Sequence, residues 1–204
     1  FSWEQVKPYI RIRLVRMDGN EEYLKDKPYK KVLDLAMIFV VLLNEKEGEM
    51  VAQVLWTQME AWGIDIGELY LTAIDNFRKE EFTITNMASL FPAELEEELE
   101  MGIDMYIFST KSRIHGARAM LRVDMLKTFA NEKGCNLFIL PSSVHEVLLV
   151  CDEKGICVAG LKAMVSTVNS DPDAIEVEEV LSDSVYYYDR GKGRVRIAEE
   201  GRLE

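Results

Sequence analysis

The 204-residue sequence is poor in the side chains from which metal sites are built. It has two histidines, His115 and His145, and neither lies in an HxxxH, HxH or mixed Cys/His spacing. A closed zinc site needs four nitrogen or sulfur ligands, so this composition argues against one. The acidic stretches "DEKG" and "DPDAIE" do not follow the calcium-loop pattern of an EF-hand. We therefore predict no metal site.

Loops that bind phosphate are missing as well. The stretch "RGKGRV" has two glycines and basic neighbours, but it does not match GxxxxGK[ST] and it opens a strand rather than a helix. No GxGxxG follows a strand, so a dinucleotide-binding fold has no support. The sequence predicts no bound cofactor.

Cysteines and long apolar runs are scarce. Cys135, Cys151 and Cys157 form no CxxC pair, and disulfide scaffolds use more cysteines in shorter chains, although the last two are near enough in sequence to approach one another. We expect reduced, mostly buried thiols and a cytoplasmic location. The longest apolar run, residues 35–43, is too short to cross a bilayer, and no secretory leader pattern opens the chain. A membrane partner is not expected.

The sequence has fewer basic than acidic residues: 24 Lys and Arg against 36 Asp and Glu, which gives a formal net charge of -12. Nucleic acids and anionic membranes reward clustered Lys and Arg, so neither is predicted as a partner. The basic stretch "KSRIHGARAMLR" predicts a helix start with solvated arginines rather than a binding patch. A protein partner or self-association stays open.

Three strands are predicted in the first part of the chain. "YIRIRLVRM" alternates apolar and basic residues, which is typical of a one-sided strand, with a helix arriving from Trp3 as the alternative. "LDLAMIFVVLLN" is apolar on both faces and favours a central strand. "MVAQVLW" then returns antiparallel, which completes a hairpin.

Two helices follow. "TQMEAWG" places Thr57 at an N-cap and Gly63 where a helix would stop. "DIGE" predicts a second capping box: the Asp65 side chain can cap the next helix, and the Glu68 side chain can bond back to the backbone of Asp65. Apolar residues in 66–77 recur with helical spacing, which predicts a strongly amphipathic helix.

The stretch "FPAELEEELEMG" carries five glutamates and only two apolar positions in its seam. It predicts a solvated acidic helix or linker at 92–104, in preference to an acidic docking surface. We expect residues 1–91 to form an N-terminal β-hairpin and helices, and residues 105–204 to form a C-terminal α/β half. One continuous domain is the alternative.

The second half alternates strands and helices. "MYIFST", "NLFIL", "EVLLVCD" and "SVYYYD" are predicted strands, "GARAMLRVDMLKTFANEKG" and "VAGLKAMVSTVNS" are predicted helices, and a hairpin around "RGKG" closes the chain. Because hairpins outnumber crossovers, the predicted fold class is α+β: a mostly antiparallel sheet built from hairpins, with helices packed on one face.

The stretch "PSSVHE" holds a serine pair, a histidine and a carboxylate: Ser142, Ser143, His145 and Glu146. It lacks the GxSxG elbow of a nucleophilic serine. If His145 opens the following strand, its side chain points away from Glu146, so the two cannot act as a base and its orienting acid. The serines can bond the turn backbone instead. We predict no catalytic residue here.

A site at this turn would need help from distant residues. "LSDSVYYYD" is the best source, with Ser182 and Asp183 as polar candidates and Tyr187 as an aromatic one. Neighbouring tyrosines on a strand point to alternate faces, and such residues more often supply cross-strand packing. These seven residues are therefore candidates for binding only.

Several stretches together resemble a bacterial family known as Domain of Unknown Function 5688. They are "LDLAMIFVVLL", "LW…MEAWGI", "MYIFSTK…GARAML", "LPSSVHEVLLV", "VSTVNS" and "VLSDSVYYYDR". The resemblance runs over nearly the whole chain, from about residue 6 to residue 197. It implies no known activity.

Three functional hypotheses follow. The first is a non-catalytic cytoplasmic binding or regulatory module, since no metal set, phosphate loop or activated nucleophile is present. The second is a hydrolase-like or small-ligand enzyme whose pocket joins "PSSVHE" to "LSDSVYYYD". The third is an assembly subunit that uses the two-faced strand "AMIFVVLL" or the methionine-rich helices as an interface.

Overall fold

The computed structural model describes residues 1–44, 50–90 and 103–200. The chain divides into two compact units, Phe1–Glu81 and Phe82–Glu204. The predicted acidic segment at 92–104 lies outside the described residues except for its last two positions. The predicted division at that segment therefore stays a prediction.

The described part of the first unit consists of an antiparallel sheet and helices. Its strands are β1 (Ile10–Arg16), β2 (Tyr29–Val32), β3 (Leu35–Asn44) and β4 (Met50–Gln53), and its helices are α1 (Trp3–Val6), α2 (Glu21–Leu24), α3 (Trp56–Trp62) and α4 (Ile66–Phe77). A 3₁₀ turn (Lys7–Tyr9) links α1 to β1.

Strand β3 is the centre of the first unit. It pairs antiparallel with β1, β2 and β4. Residues 35–42 are all buried, as their unbroken apolar pattern requires. The predictions of a one-sided strand at β1, a central strand at β3 and a returning strand at β4 are confirmed.

The two predicted helices of this unit are present, with one corrected cap. Helix α3 begins two residues earlier than "TQMEAWG" predicts, and the Gln58 side chain accepts a hydrogen bond from the backbone N–H of Leu55. Asp65 caps α4 as predicted, accepting from the Glu68 backbone N–H at 2.8 Å. The Glu68 carboxylate does not reach back but accepts from the Trp3 indole at 2.7 Å.

The described residues of the second unit form a six-stranded antiparallel sheet of order β10-β9-β7-β8-β6-β5. Its strands are β5 (Phe82–Asn86), β6 (Met105–Thr110), β7 (Leu137–Leu140), β8 (Val147–Cys151), β9 (Tyr186–Asp189) and β10 (Arg194–Ile197). Within the described part of this unit, the longer helices are α5 (Val123–Lys133) and α6 (Val158–Asn169), and 3₁₀ turns lie at Ala88–Leu90, Gly116–Leu121 and Val177–Glu179.

The predicted α+β class with antiparallel pairing is confirmed, but the helices of the second unit lie on both faces of its sheet and not on one face as predicted. Leu161 and Val165 of α6 pack in one cluster with Met105 of β6. Tyr106, the next residue of β6, points to the opposite face, where its ring lies 5.0 Å from that of Phe129 in α5. The strands between the helices are consequently buried on both faces.

Two short strands, β2 and β5, were not predicted. "YKKV" is half exposed and weakly patterned, and "FTITN" has only five residues. Both are strands because a longer neighbour supplies the ladder hydrogen bonds: β3 pairs with β2, and β6 pairs with β5. The predicted helix at 116–134 is divided into a 3₁₀ turn and α5, and Gly134 ends α5 as expected.

The cysteines differ from the expectation of reduced, buried thiols. Cys135, just after α5, and Cys151, at the end of β8, form a disulfide with a Cα–Cα distance of 5.8 Å. This distance lies in the usual range for disulfides. Cys157 is a free thiol and is exposed. Among the described helices, none is both long and apolar enough to cross a bilayer.

The disulfide predicts a measurable difference between the cysteines. The bond closes a loop with a sequence separation of 16, and removing such a constraint raises the entropy of the unfolded chain. We expect Cys135→Ser to lower the free energy of unfolding by about 3 kcal/mol, measured by urea denaturation without reductant. The control Cys157→Ser should leave the urea midpoint unchanged. Equal midpoints for the two variants would contradict the pairing.

Candidate functional site

The residues of "PSSVHE" form a turn that connects β7 to β8. The backbone N–H of Ser143 donates to the carbonyl of Glu146 at 3.3 Å, and the Ser143 hydroxyl accepts from the backbone N–H of His145 at 3.0 Å. The backbone N–H of Ser142 donates to the carbonyl of Leu140 at 2.9 Å. The Ser143 hydroxyl therefore bonds the turn backbone as predicted, while Ser142 contributes its backbone N–H.

His145 does contact a carboxylate, but not the one beside it in sequence. Its Nε2 lies 2.9 Å from Oε1 of Glu179, which belongs to the 3₁₀ turn before β9. The backbone supports this approach, because the N–H of Val144 donates to the carbonyl of Glu179 at 2.8 Å. Glu146, the sequence neighbour, contributes a carbonyl to the turn.

The second ring nitrogen of His145 is also engaged. Nδ1 accepts a hydrogen bond of 3.0 Å from the backbone N–H of His115. A nitrogen that accepts from an amide carries no proton, so Nε2 carries it and donates to Glu179. A general base needs an unoccupied lone pair facing its substrate. In this arrangement the lone pair of His145 is occupied by the backbone.

A close approach of two backbone segments brings His115 and His145 together. A Cβ built on Gly116 would lie 2.7 Å from the carbonyl oxygen of His145 and 2.7 Å from the backbone nitrogen of Thr110. Only glycine fits such a contact. The Ser109 hydroxyl donates to the carbonyl of His145 at 2.6 Å. We call Ser109, His115, Gly116, His145 and Glu179 the His145 cluster.

The arginines beside this cluster are not all solvated, contrary to the prediction for "KSRIHGARAMLR". Arg118 is 3% exposed and donates to the carbonyl of His115 at 2.5 Å. Its guanidinium also lies 5.9 Å from the ring centre of Phe82. Arg118 therefore fastens the 3₁₀ turn to the sheet.

The candidates from "LSDSVYYYD" have other partners. The Ser182 hydroxyl accepts from the backbone N–H of Ser184 at 2.9 Å. The side-chain amide of Asn169, at the end of α6, donates to the Ser182 carbonyl at 3.0 Å and to the Asp183 carboxylate at 2.8 Å. These contacts connect the C-terminal end of α6 to residues 182 and 183. The residue that contacts the His145 ring is instead Glu179, which the sequence analysis did not identify.

Tyr187 is held in the apolar layer under α6. Its ring lies 5.2 Å from that of Phe138, and its hydroxyl donates to the Asp152 carboxylate at 2.6 Å. Burial, together with the hydrogen bond and the negative charge of Asp152, raises the pKa of Tyr187 to about 12. Tyr187 therefore stays neutral at any physiological pH.

A pocket of about 540 Å³ lies elsewhere in the second unit, between α5 and the strand pair β5–β6. We call it the α5 pocket. Its strand side presents Ile84, Asn86 and Tyr106, since alternate residues share a face and Asn86 pairs directly with Tyr106. Its volume falls within the usual range for small-molecule sites.

Lys133 and two aromatic rings form one end of the α5 pocket. The Lys133 ammonium donates to the Tyr106 hydroxyl at 2.7 Å and lies 4.5 Å from the centre of that ring. It is also 5.7 Å from the ring centre of Phe129. The hydrogen bond to Tyr106 raises the pKa of Lys133 above its ordinary value. This lysine is therefore a cation and not a nucleophilic amine.

The helix side of the pocket carries two carboxylates. The Asp124 carboxylate accepts two hydrogen bonds from Arg122, one from Nε at 2.9 Å and one from Nη2 at 2.7 Å. These hydrogen bonds lower the pKa of Asp124. Glu132 is exposed and precedes Lys133 on α5. Sequence patterns did not predict this pocket because its strand side depends on β5.

Metal binding has little basis in the part of the chain that the structure describes. There, no group of three or more His, Cys, Asp or Glu side chains is arranged to hold an ion.

Comparison with known proteins agrees with the resemblance found in the sequence. Residues 1–190 match the model of the Family of unknown function (DUF5688), so the chain belongs to that family. No curated protein and no solved structure matches the chain. The membership therefore carries no activity with it.

The close approach at Gly116 predicts a cost for a single methyl group. We expect Gly116→Ala to lower the free energy of unfolding by about 1–3 kcal/mol, because the added Cβ must displace backbone atoms. Gly160→Ala in α6 is the matched control, since a Cβ added there would have the Cys157 sulfur, at 3.4 Å, as its nearest atom. The control should be neutral or stabilising in urea denaturation. A neutral Gly116→Ala would disprove the close contact.

The raised pKa of Tyr187 predicts a loss of stability at alkaline pH. Between the unfolded pKa near 10 and the folded pKa of about 12, the unfolded chain ionises while the folded chain keeps its proton, so stability falls as pH rises. From pH 9 to pH 11, wild type should lose about 1 kcal/mol more than Tyr187→Phe. Urea midpoints at both pH values measure the difference, and identical losses would count against the Tyr187–Asp152 contact.

Proposed function

We propose that this member of a family of unknown function is a non-catalytic binding module. The observation that carries the proposal is the engagement of both ring nitrogens of His145. The imidazole is the residue of "PSSVHE" that would most often serve as a general base, and its lone pair accepts from the backbone N–H of His115. The hydrogen bonds of the His145 cluster then hold the β7–β8 turn, the 3₁₀ turn at Gly116 and Glu179 together.

The hydroxyls near His145 support the same conclusion. Nucleophilic catalysis requires a serine within hydrogen-bond reach of the base nitrogen. The Ser143 hydroxyl accepts from the backbone N–H of His145, and the Ser109 hydroxyl donates to the carbonyl of the same residue. Both hydroxyls are directed to the main chain of His145 rather than to its ring.

The α5 pocket is the proposed binding place. Its lining is mixed: an apolar part is formed by Ile84, Met125, Phe129 and the Tyr106 ring, and the polar groups are those of Asn86, Asp124, Thr128, Glu132 and Lys133. Lys133 supplies a positive charge at its end, and Tyr106 and Phe129 supply flat apolar surface. A binding module needs no more than this.

A cytoplasmic location is part of the proposal, and the Cys135–Cys151 disulfide weighs against it. Disulfides persist in oxidising compartments and are rare in the cytosol. Thiol alkylation before and after reduction in cell extracts measures the redox state of Cys135 and Cys151.

Membership of an assembly stays a further hypothesis. Residues 35–42 of β3 are buried within the first unit, so another surface would have to form the interface.

The proposal predicts the behaviour of His145 and Ser143. Wild type should not react with a fluorophosphonate probe and should not hydrolyse p-nitrophenyl esters above the buffer rate. In ¹⁵N–¹H spectra at neutral pH, the His145 ring should show one protonated nitrogen, Nε2, and one unprotonated nitrogen, Nδ1.

Ser143→Ala and His145→Gln provide the decisive comparison. Probe labelling or turnover that wild type has and either folded variant lacks would refute the non-catalytic proposal. Ser89→Ala, an exposed serine of a different turn, is the matched control for surface reactivity.

A further inference from the structure

We propose that the α5 pocket binds a small zwitterion of the α-amino acid class with an apolar side chain. This inference rests on the proposed binding function and assigns its ligand. The juxtaposition that carries it is a cation, a carboxylate and an apolar wall around one pocket: Lys133, Glu132 and the group Ile84, Met125 and Phe129.

The carboxylate of the ligand would meet Lys133 and Asn86. An ammonium has three N–H donors, and the hydrogen bond to Tyr106 uses one of them. The Asn86 side chain uses its oxygen to accept from the backbone N–H of Ala88 at 2.9 Å. Within the described residues its amide N–H₂ has no acceptor, so it provides two further donors on the strand side of the pocket.

The ammonium of the ligand would meet Glu132. Asp124 is already neutralised, because Arg122 binds both of its oxygens. Glu132 makes no hydrogen bond and no ion pair within the described part of the chain, although its negative charge helps to raise the pKa of Lys133. It is therefore the lining carboxylate with capacity for a charged donor.

The sign of these charges decides between ligand classes. An amine without a carboxylate would be repelled by the protonated side chain of Lys133. A carboxylate without an amine would be repelled by Glu132 and by Asp104, whose charges act on the same ammonium. A zwitterion satisfies both charges at once, and its side chain can lie against the apolar wall, where Phe129 is 8% exposed.

Three probes of one skeleton test the inference with the full chain. L-phenylalanine carries both charges, 3-phenylpropionate lacks the ammonium, and 2-phenylethylamine lacks the carboxylate. Titrations followed by ¹⁵N–¹H spectra should show saturable shifts at β5, β6 and α5 for L-phenylalanine. Loss of one charged contact should weaken each of the other probes by about tenfold or more.

Variants at exposed positions identify the contacts without disturbing the core. Lys133→Met and Glu132→Gln should each weaken L-phenylalanine by about tenfold. Lys127→Met, an exposed lysine on the same helix, and Glu178→Gln, an exposed glutamate outside the pocket, are the controls and should bind as wild type does. Unchanged thermal midpoints confirm that each variant is folded.

The possible failures are distinguishable. If 3-phenylpropionate or 2-phenylethylamine binds at the pocket as tightly as L-phenylalanine, the pocket is a binding site and the zwitterion inference is wrong. If none of the three probes shifts the pocket residues, both the ligand class and the use of this pocket by the proposed module are overturned.

Discussion

Burial on both faces of the central strands constrains the whole second unit. Strands β6 and β7 are buried at every position, so their side chains need apolar cover above and below the sheet. Helix α6 supplies it on one side through Leu161 and Val165, and α5 supplies it on the other through Phe129. The α5 pocket is a consequence of this packing, because α5 lies over β6 and leaves space towards the edge strand β5.

The His145 cluster shows how residues that suggest catalysis can have a structural role. A serine, a histidine and a carboxylate do come together, and the imidazole donates to Glu179, yet the hydroxyls of Ser143 and Ser109 do not bond the ring. The imidazole accepts from the backbone of His115, and the hydroxyls of Ser143 and Ser109 bond the main chain of His145. The result links three chain segments that are far apart in sequence.

Net charge describes this protein poorly at the level of a site. The chain carries -12 overall, but the α5 pocket contains a cation that a phenol holds in place. Arg122 neutralises one of its two carboxylates. Opposite charges around one pocket can be complementary to the charge pattern of a ligand, whereas the global excess of acid acts mainly on solubility.

Local pattern by itself determined the longer elements. The two-faced apolar run of β3, the Asp65 cap and amphipathic face of α4, and the glycine stop of α5 were all predicted correctly, because burial period and capping chemistry act between near neighbours. The family membership was also recognisable from sequence. The tertiary structure alone decided β5, which exists through its pairing with β6. It also decided that Glu179 rather than Glu146 meets His145 and that Cys135 pairs with Cys151. Each of these contacts joins residues separated by 16 or more positions in sequence, and such contacts depend on how the elements pack rather than on any local pattern.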